Sequence, residues 1–190
     1  MFKEILTLTA AEETLLRETI GKTLLRISMM KPIEYGVQAL LPIYADFGDA
    51  CFRITRTDEV IQYFDAKEDV GRPTISKDTF VNSGCTKNIN RKVQDVLVVI
   101  CTFEFTNYKI TYPKAFVFQF EDCNLVTEKI GLTSMGELVA RLETRDAENF
   151  GLTDEMSFWY DPAEDDEKPA ASQQIRSLKQ DKIVSSVDFS

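Results

Sequence analysis

Val96-Leu97-Val98-Val99-Ile100-Cys101-Thr102-Phe103-Glu104-Phe105 is the stretch on which the fold turns, and Ala115-Phe116-Val117-Phe118-Gln119-Phe120 is its counterpart. Both are dense in β-branched and aromatic side chains and contain neither glycine nor proline, the composition of a strand that packs on a sheet face. A strand sends alternate residues to opposite faces. Val99, Cys101, Phe103 and Phe105 therefore share one face of the first run, and Phe116, Phe118 and Phe120 share one face of the second. The intervening segment, Asn107 to Pro113, reads as a loop, so the runs are expected to pair antiparallel with their aromatic rows set against each other as a ladder.

Upstream, Thr9-Ala10-Ala11-Glu12 has the spacing of a capping box, Leu15, Leu16 and Ile20 recur on one helical face, and Gly21 follows. A helix over about 10–20 is predicted. From Leu24 the period drops to two, with Leu25, Ile27 and Met29 alternating with Arg26 and Ser28 until Pro32. Further strands are predicted over Val37 to Tyr44, Ala50 to Thr55 and Val60 to Phe64, the last two joined by a turn at Arg56-Thr57-Asp58-Glu59. Gly71 to Lys92 carries Arg72, Lys77, Lys87, Arg91 and Lys92 among Ser, Thr, Asn and Gly, and reads as a basic, loop-rich connection.

Downstream, Leu125 to Ile130 reads as another strand. The segment from Ser134 satisfies helix and strand patterns alike, because Met135, Leu138, Val139 and Leu142 suit a helix while Leu138, Ala140 and Leu142 alternate. Asp161-Pro162-Ala163-Glu164-Asp165-Asp166-Glu167-Lys168-Pro169 combines two prolines with an acid run. One globular domain over 1–160 and a flexible acidic and polar tail over 161–190 are expected, with Ile175 and Leu178 offering at most a docking turn. The predicted class is α+β, mainly β: an antiparallel curved sheet or barrel packed by an N-terminal helix.

The chemistry open to this chain is narrowed by its composition. Its 190 residues include no histidine, so imidazole-based nucleophile systems, proton shuttles and His-ligated zinc are excluded. With 31 acidic against 22 basic residues the net charge is −9, which argues against nucleic acid as a partner, since phosphate must be neutralised by Lys and Arg. The N-terminal segment has no long apolar run, so no membrane segment and a cytoplasmic location are expected. Cys51, Cys85, Cys101 and Cys123 are widely spaced, without a C-x-x-C pair, and read as buried, reduced thiols rather than a disulfide or zinc framework.

Gly131-Leu132-Thr133-Ser134-Met135-Gly136 has phosphate-loop spacing, but Glu137 and Leu138 stand where Lys and Ser/Thr are needed. Asp49, Asp65 and Lys67 have the form of a metal-dependent hydrolase site, in which carboxylates hold a divalent ion and lysine steadies developing charge. Glu104 and Gln119 could lie near each other on the face opposite the Phe rows. The densest feature is the set Asp46, Asp49, Asp58, Glu59, Asp65, Glu68 and Asp69, clustered at predicted strand ends and expected to form one acidic rim.

The runs Phe52-Arg53-Ile54-Thr55-Arg56-Thr57-Asp58-Glu59-Val60, Tyr63-Phe64-Asp65-Ala66-Lys67-Glu68-Asp69-Val70 and Tyr112-Pro113-Lys114-Ala115-Phe116-Val117-Phe118-Gln119-Phe120 resemble small acidic bacterial proteins of unassigned function. The resemblance spans residues 20–150. It implies a bacterial cytosolic, strand-rich domain of the toxin-immunity kind and carries over no catalytic residue. The functional expectation is a non-enzymatic module that captures a basic protein partner on its acidic rim, with no cofactor, metal or catalytic residue assigned. The alternatives are the hydrolase using Asp49, Asp65 and Lys67, and a barrel that holds an apolar ligand between Phe-lined strands.

Overall fold

The computed structural model describes residues 2–29, 42–63, 66–130, 137–144 and 168–189. The chain is mainly β. Its elements are β1 (Phe2–Ile5), α1 (Ala10–Thr19), β2 (Thr23–Met29), β3 (Ile43–Asp46), β4 (Cys51–Tyr63), β5 (Ala66–Asp78), β6 (Cys85–Lys92), β7 (Asp95–Glu104), β8 (Tyr108–Gln119), β9 (Cys123–Ile130), β10 (Glu137–Thr144), β11 (Ala170–Ser177) and β12 (Lys182–Phe189). They form two sheets. The larger runs β10-β9-β8-β7-β11-β12, with β1 lying parallel beside the first half of β8, and the smaller runs β5-β4-β3-β2-β6. All pairings except β1 with β8 are antiparallel. No helix among the described residues is long and apolar enough to cross a membrane.

The helix begins where its sequence places it. Thr9 Oγ1 accepts from the Glu12 amide at 3.2 Å and Glu12 Oε2 accepts from the Thr9 amide at 2.7 Å, so two of the orphan amides at the helix start are satisfied reciprocally. Gly21, at φ +86°, takes the left-handed turn after the helix and donates to Val93 O. Leu16 is fully buried, and its cluster joins Ile27, Phe52, Ile54 and Ile75 of the smaller sheet to Val96, Val98, Phe116, Phe118 and Phe120 of the larger one. Thr9→Ala is expected to lower stability by about 1 kcal/mol, read as a shift of the urea midpoint at unchanged m-value.

The β7–β8 pair forms as predicted, but the aromatic ladder does not. Val98 lies opposite Phe116 and Val96 opposite Phe118, so the Phe row of β8 shares a face with the even-numbered residues of β7. A bulge shifts the register between Val99 and Ile100, and beyond it Cys101 faces Tyr112 and Phe103 faces Ile110. The extra residue is Lys114. Past the bulge the row Cys101, Phe103, Phe105 meets Tyr108, Ile110 and Tyr112, with the Phe103 and Tyr112 rings stacked at 6.3 Å between centroids. Residues 108–113, read as loop, are the first half of β8, and Glu104 and Gln119 fall at opposite ends of the pair.

Four further expectations are corrected. The turn at 56–59 is absent, because β4 runs unbroken and pairs with β5 from Cys51↔Asp78 to Tyr63↔Ala66. Ile54 and Ile61 stand on opposite faces of β4, and they belong to different core clusters, so the buried side changes along the hairpin while the backbone continues. That change of side imitates a strand break in the sequence. The segment 71–92 contributes most of β5 and all of β6 rather than a loop. The tail expected to be mobile from 161 supplies β11 and β12 from 170 on; β11 sits inside the larger sheet, between β7 and β12, and Leu178 is fully buried. Residues 161–167 lie outside the described residues, as do 37–41 of the strand predicted to Tyr44. The undecided segment at 134–145 is strand over Glu137–Thr144. All four cysteines are free, and Cys85 is exposed rather than buried.

Candidate functional site

Among the described residues, the acids singled out in the sequence run from the β3–β4 turn to the far end of the β4–β5 hairpin, and most have partners within the chain. Asp46 caps the turn into β4: Gly48, at φ +85°, donates its amide to Asp46 Oδ1 at 2.9 Å, while Arg26 Nε donates to Asp46 Oδ2 at 2.8 Å. Asp49 pairs with Lys22 at 2.9 Å, which holds its carboxyl below the usual range. Asp58 pairs with Arg56 at 3.2 Å. Glu59 accepts from Arg72, whose guanidinium is buried and also donates to Glu12 at 2.9 Å. Asp69 and Lys67 are exposed toward the far end of the hairpin, and Asp65 and the Glu68 side chain lie outside what is described.

These positions do not converge on one rim. Asp46 and Asp49 flank the start of β4 and Lys67 stands beside its end, separated by about twelve residue steps of about 3.3 Å, on the order of 40 Å. Asp49 and Lys67 are thus held apart, and Asp49 is engaged by Lys22. Among the described residues no group of three metal-ligating side chains is brought together. Reversing Glu59 to lysine would set a cation beside buried Arg72, so it tests the core as well as the surface.

Sequence reasoning missed the groups buried between the elements. Glu12 closes the capping box and also accepts from Arg72 and Thr74 on β5, so one carboxylate ties the helix start to the smaller sheet. Burial alone would raise its pKa, but the hydrogen bonds from Arg72, Thr74 and the Thr9 amide outweigh it and the net shift is downward. Lys114, displaced by the bulge, buries its ammonium against Glu128 at 3.1 Å, and Glu128 also holds Arg141. Lys114 and Glu128 side chains are 2% and 3% exposed. Basic residues at a half-buried strand position were the available signal, but spacing alone does not say which carboxylate they meet.

A second cluster ties α1 to the C-terminal hairpin. Arg176 donates to Glu13 at 3.1 and 3.2 Å and to Asp181 at 2.6 Å, and Arg17 bridges the same two carboxylates while also donating to Leu178 O. Hydrogen bonds from Arg17 hold the Glu13 carboxyl low against the opposing effect of burial, and Arg176 adds to this. Asp181 is lowered by Arg176 and then Arg17. Carboxyls depressed in the folded state stabilise it above their unfolded pKa of about 4, and that stability is lost as pH falls through the lower folded value. The melting temperature is therefore expected to drop on acidification below about pH 4, and Glu13→Gln should flatten that drop while lowering the melting temperature at pH 7.

The C-terminal hairpin also carries an exposed apolar strand. Ile183, Val184 and Val187 of β12 are 44%, 43% and 39% exposed, and among the described residues β12 has one neighbour, β11. Ser185 faces Ile175 and Ile183 faces Arg176, so Val184 is an inserted bulge residue and Ile183 and Val187 point to opposite faces. A free strand edge offers backbone donors and acceptors to another chain, and apolar side chains on both faces are what a pairing strand covers. No protein-family model, curated protein or solved structure matches this chain.

Proposed function

We propose that this protein is a non-enzymatic protein-binding module that takes an extended segment of a basic partner alongside β12. The observation that carries the reading is the β12 edge, where three aliphatic side chains stand in solvent at the end of a sheet whose inner strands are buried. Strand addition supplies affinity through main-chain hydrogen bonds and specificity through alternate side chains. The net charge of −9 speeds the approach of a basic partner and selects against acidic ones. An immunity-type inhibitor capturing a basic toxin is the specific form that fits these properties, and its location would be the bacterial cytoplasm.

The test is the double variant Ile183→Glu/Val187→Glu, used beside the unaltered chain to capture partners from source-cell cytosol at low salt. The substitutions fall on exposed positions and make the chain two charges more negative. Capture that rests on the strand edge is expected to fall at least tenfold, the equivalent of about 1.4 kcal/mol. Equal or stronger capture of the same basic protein by the variant would show that charge alone does the work and would refute the β12 reading.

A further inference from the structure

We infer that a cleft between the β1–α1 connection and the larger sheet is a binding site for a neutral, mainly apolar small molecule carrying one hydroxyl or amide. The cleft encloses about 210 Å³. Val98 and Ile100 of β7 and Pro113 of β8 form its floor, Leu6 and Leu8 its wall, and Glu13 with Arg176 one end. This inference does not rest on the protein-binding reading.

The gap has a cause in the chain. The Leu6 amide donates to Thr111 O at 2.8 Å, which fastens the end of β1 to β8, and the capping box fixes the backbone again at Thr9. Two residues must bridge these anchors. Leu6 packs against the cluster of Phe103 and Tyr112, while Leu8 packs against the cluster of Phe116 and Phe118, so the two leucines are drawn to separate cores with an apolar gap between them. The β8 bulge lies at the same place and turns Lys114 to the other side, leaving Pro113, which has no amide to satisfy, on the cleft floor.

Size and charge select the ligand class. An apolar cavity near 150 Å³ holds a benzene ring, so about 210 Å³ suits a singly substituted ring or a chain of roughly six to eight carbons. Glu13 and Arg176 are the two charged lining groups, and they are bonded to each other and to Arg17 and Asp181. Two carboxylates and two guanidiniums leave the cluster neutral. An anion would have to displace Glu13 from Arg176, and a cation would have to displace Arg176 from Glu13. Thr7 and Thr111 bring the other polar groups of the lining; the Thr111 hydroxyl is shared with Thr102 at 3.0 Å and keeps a lone pair for a donor on a neutral ligand.

Benzyl alcohol is the probe, with benzoate and benzylammonium as charged counterparts of the same shape, each titrated into the full chain and followed by amide chemical shifts. Saturable shifts are expected at residues 6–8, Ile100 and Thr111 with benzyl alcohol, and binding about tenfold or more weaker with either charged form. Thr111→Phe should fill the cleft and abolish the saturable shifts; if it does not fold, Thr7→Trp, at an exposed position, should block the mouth to the same effect. Absence of saturable shifts at these residues, equal binding of a charged form, or unchanged binding in the folded blocking variant would overturn the assignment.

Discussion

A chain ending at Pro169 is expected to lose its cooperative unfolding transition. β11 pairs with β7 along the whole run from Ala170↔Glu104 to Ser177↔Leu97, so its removal strips one side of a central, buried strand. Ile175 and Leu178 are buried, and full burial of such a side chain is worth about 1.5–3 kcal/mol. The buried polar groups go with them: Ser177 Oγ donates to Asp95 Oδ2 at 2.5 Å and the Lys179 amide to Asp95 Oδ1 at 3.0 Å, leaving a buried carboxylate without these donors. Added to the lost ladder and the α1 cluster, this is comparable to the 5–15 kcal/mol that typically holds a whole domain together. Circular dichroism against urea reads the outcome. Leu178→Ala gives the graded version, an expected loss of about 2–5 kcal/mol. A truncated chain with the full-length midpoint would mean that β11 does not belong to the folded core.

The second large effect is expected at Glu128. It is the carboxylate that both Lys114 and Arg141 reach, and Lys114 is buried with it. Glu128→Gln keeps the shape but sets a neutral amide against a buried ammonium, and breaking a buried pair in this way costs about 3–5 kcal/mol. The pair itself need not add net stability, because two ions had to be desolvated to form it. Lys114→Met/Glu128→Leu, which removes both charges, is therefore expected to lose much less than Glu128→Gln alone, as read from urea midpoints. If the double variant is the less stable of the two, the pair contributes more than its own desolvation costs.

The candidate surfaces divide by how local their cause is. The acids from Asp46 to Asp69 are plain in the sequence, yet their engagement is not. Asp49 meets Lys22 across 27 residues and Glu12 meets Arg72 across 60, distances over which spacing carries no information. The β12 edge is hidden for another reason. Lys182 to Phe189 mixes aliphatics with serines and reads as a polar tail until β11 is seen to form a hairpin with it on the open side of β7.

What the sequence determined by itself is whatever a few neighbouring residues decide. The Thr9 and Glu12 capping box starts the helix because both partners lie within one turn. The apolar run from Val96 to Phe105 makes a strand because its β-branched and aromatic side chains suit a packed sheet, here buried on both faces over Val96 to Val99. The absence of histidine and the charge of −9 likewise hold whatever the fold. Tertiary structure alone decided which face of β4 is buried where, since the hairpin presents Ile54 to one core and Ile61 to another. It also decided that a Gln- and Ser-rich segment becomes an inner strand. Gln173 and Ser177 are tolerated there because Cys101 and Asp95, brought up from more than 70 residues away, receive their hydrogen bonds. Burial of a polar side chain depends on the partner it meets, and that partner is chosen by the fold rather than by the neighbouring sequence.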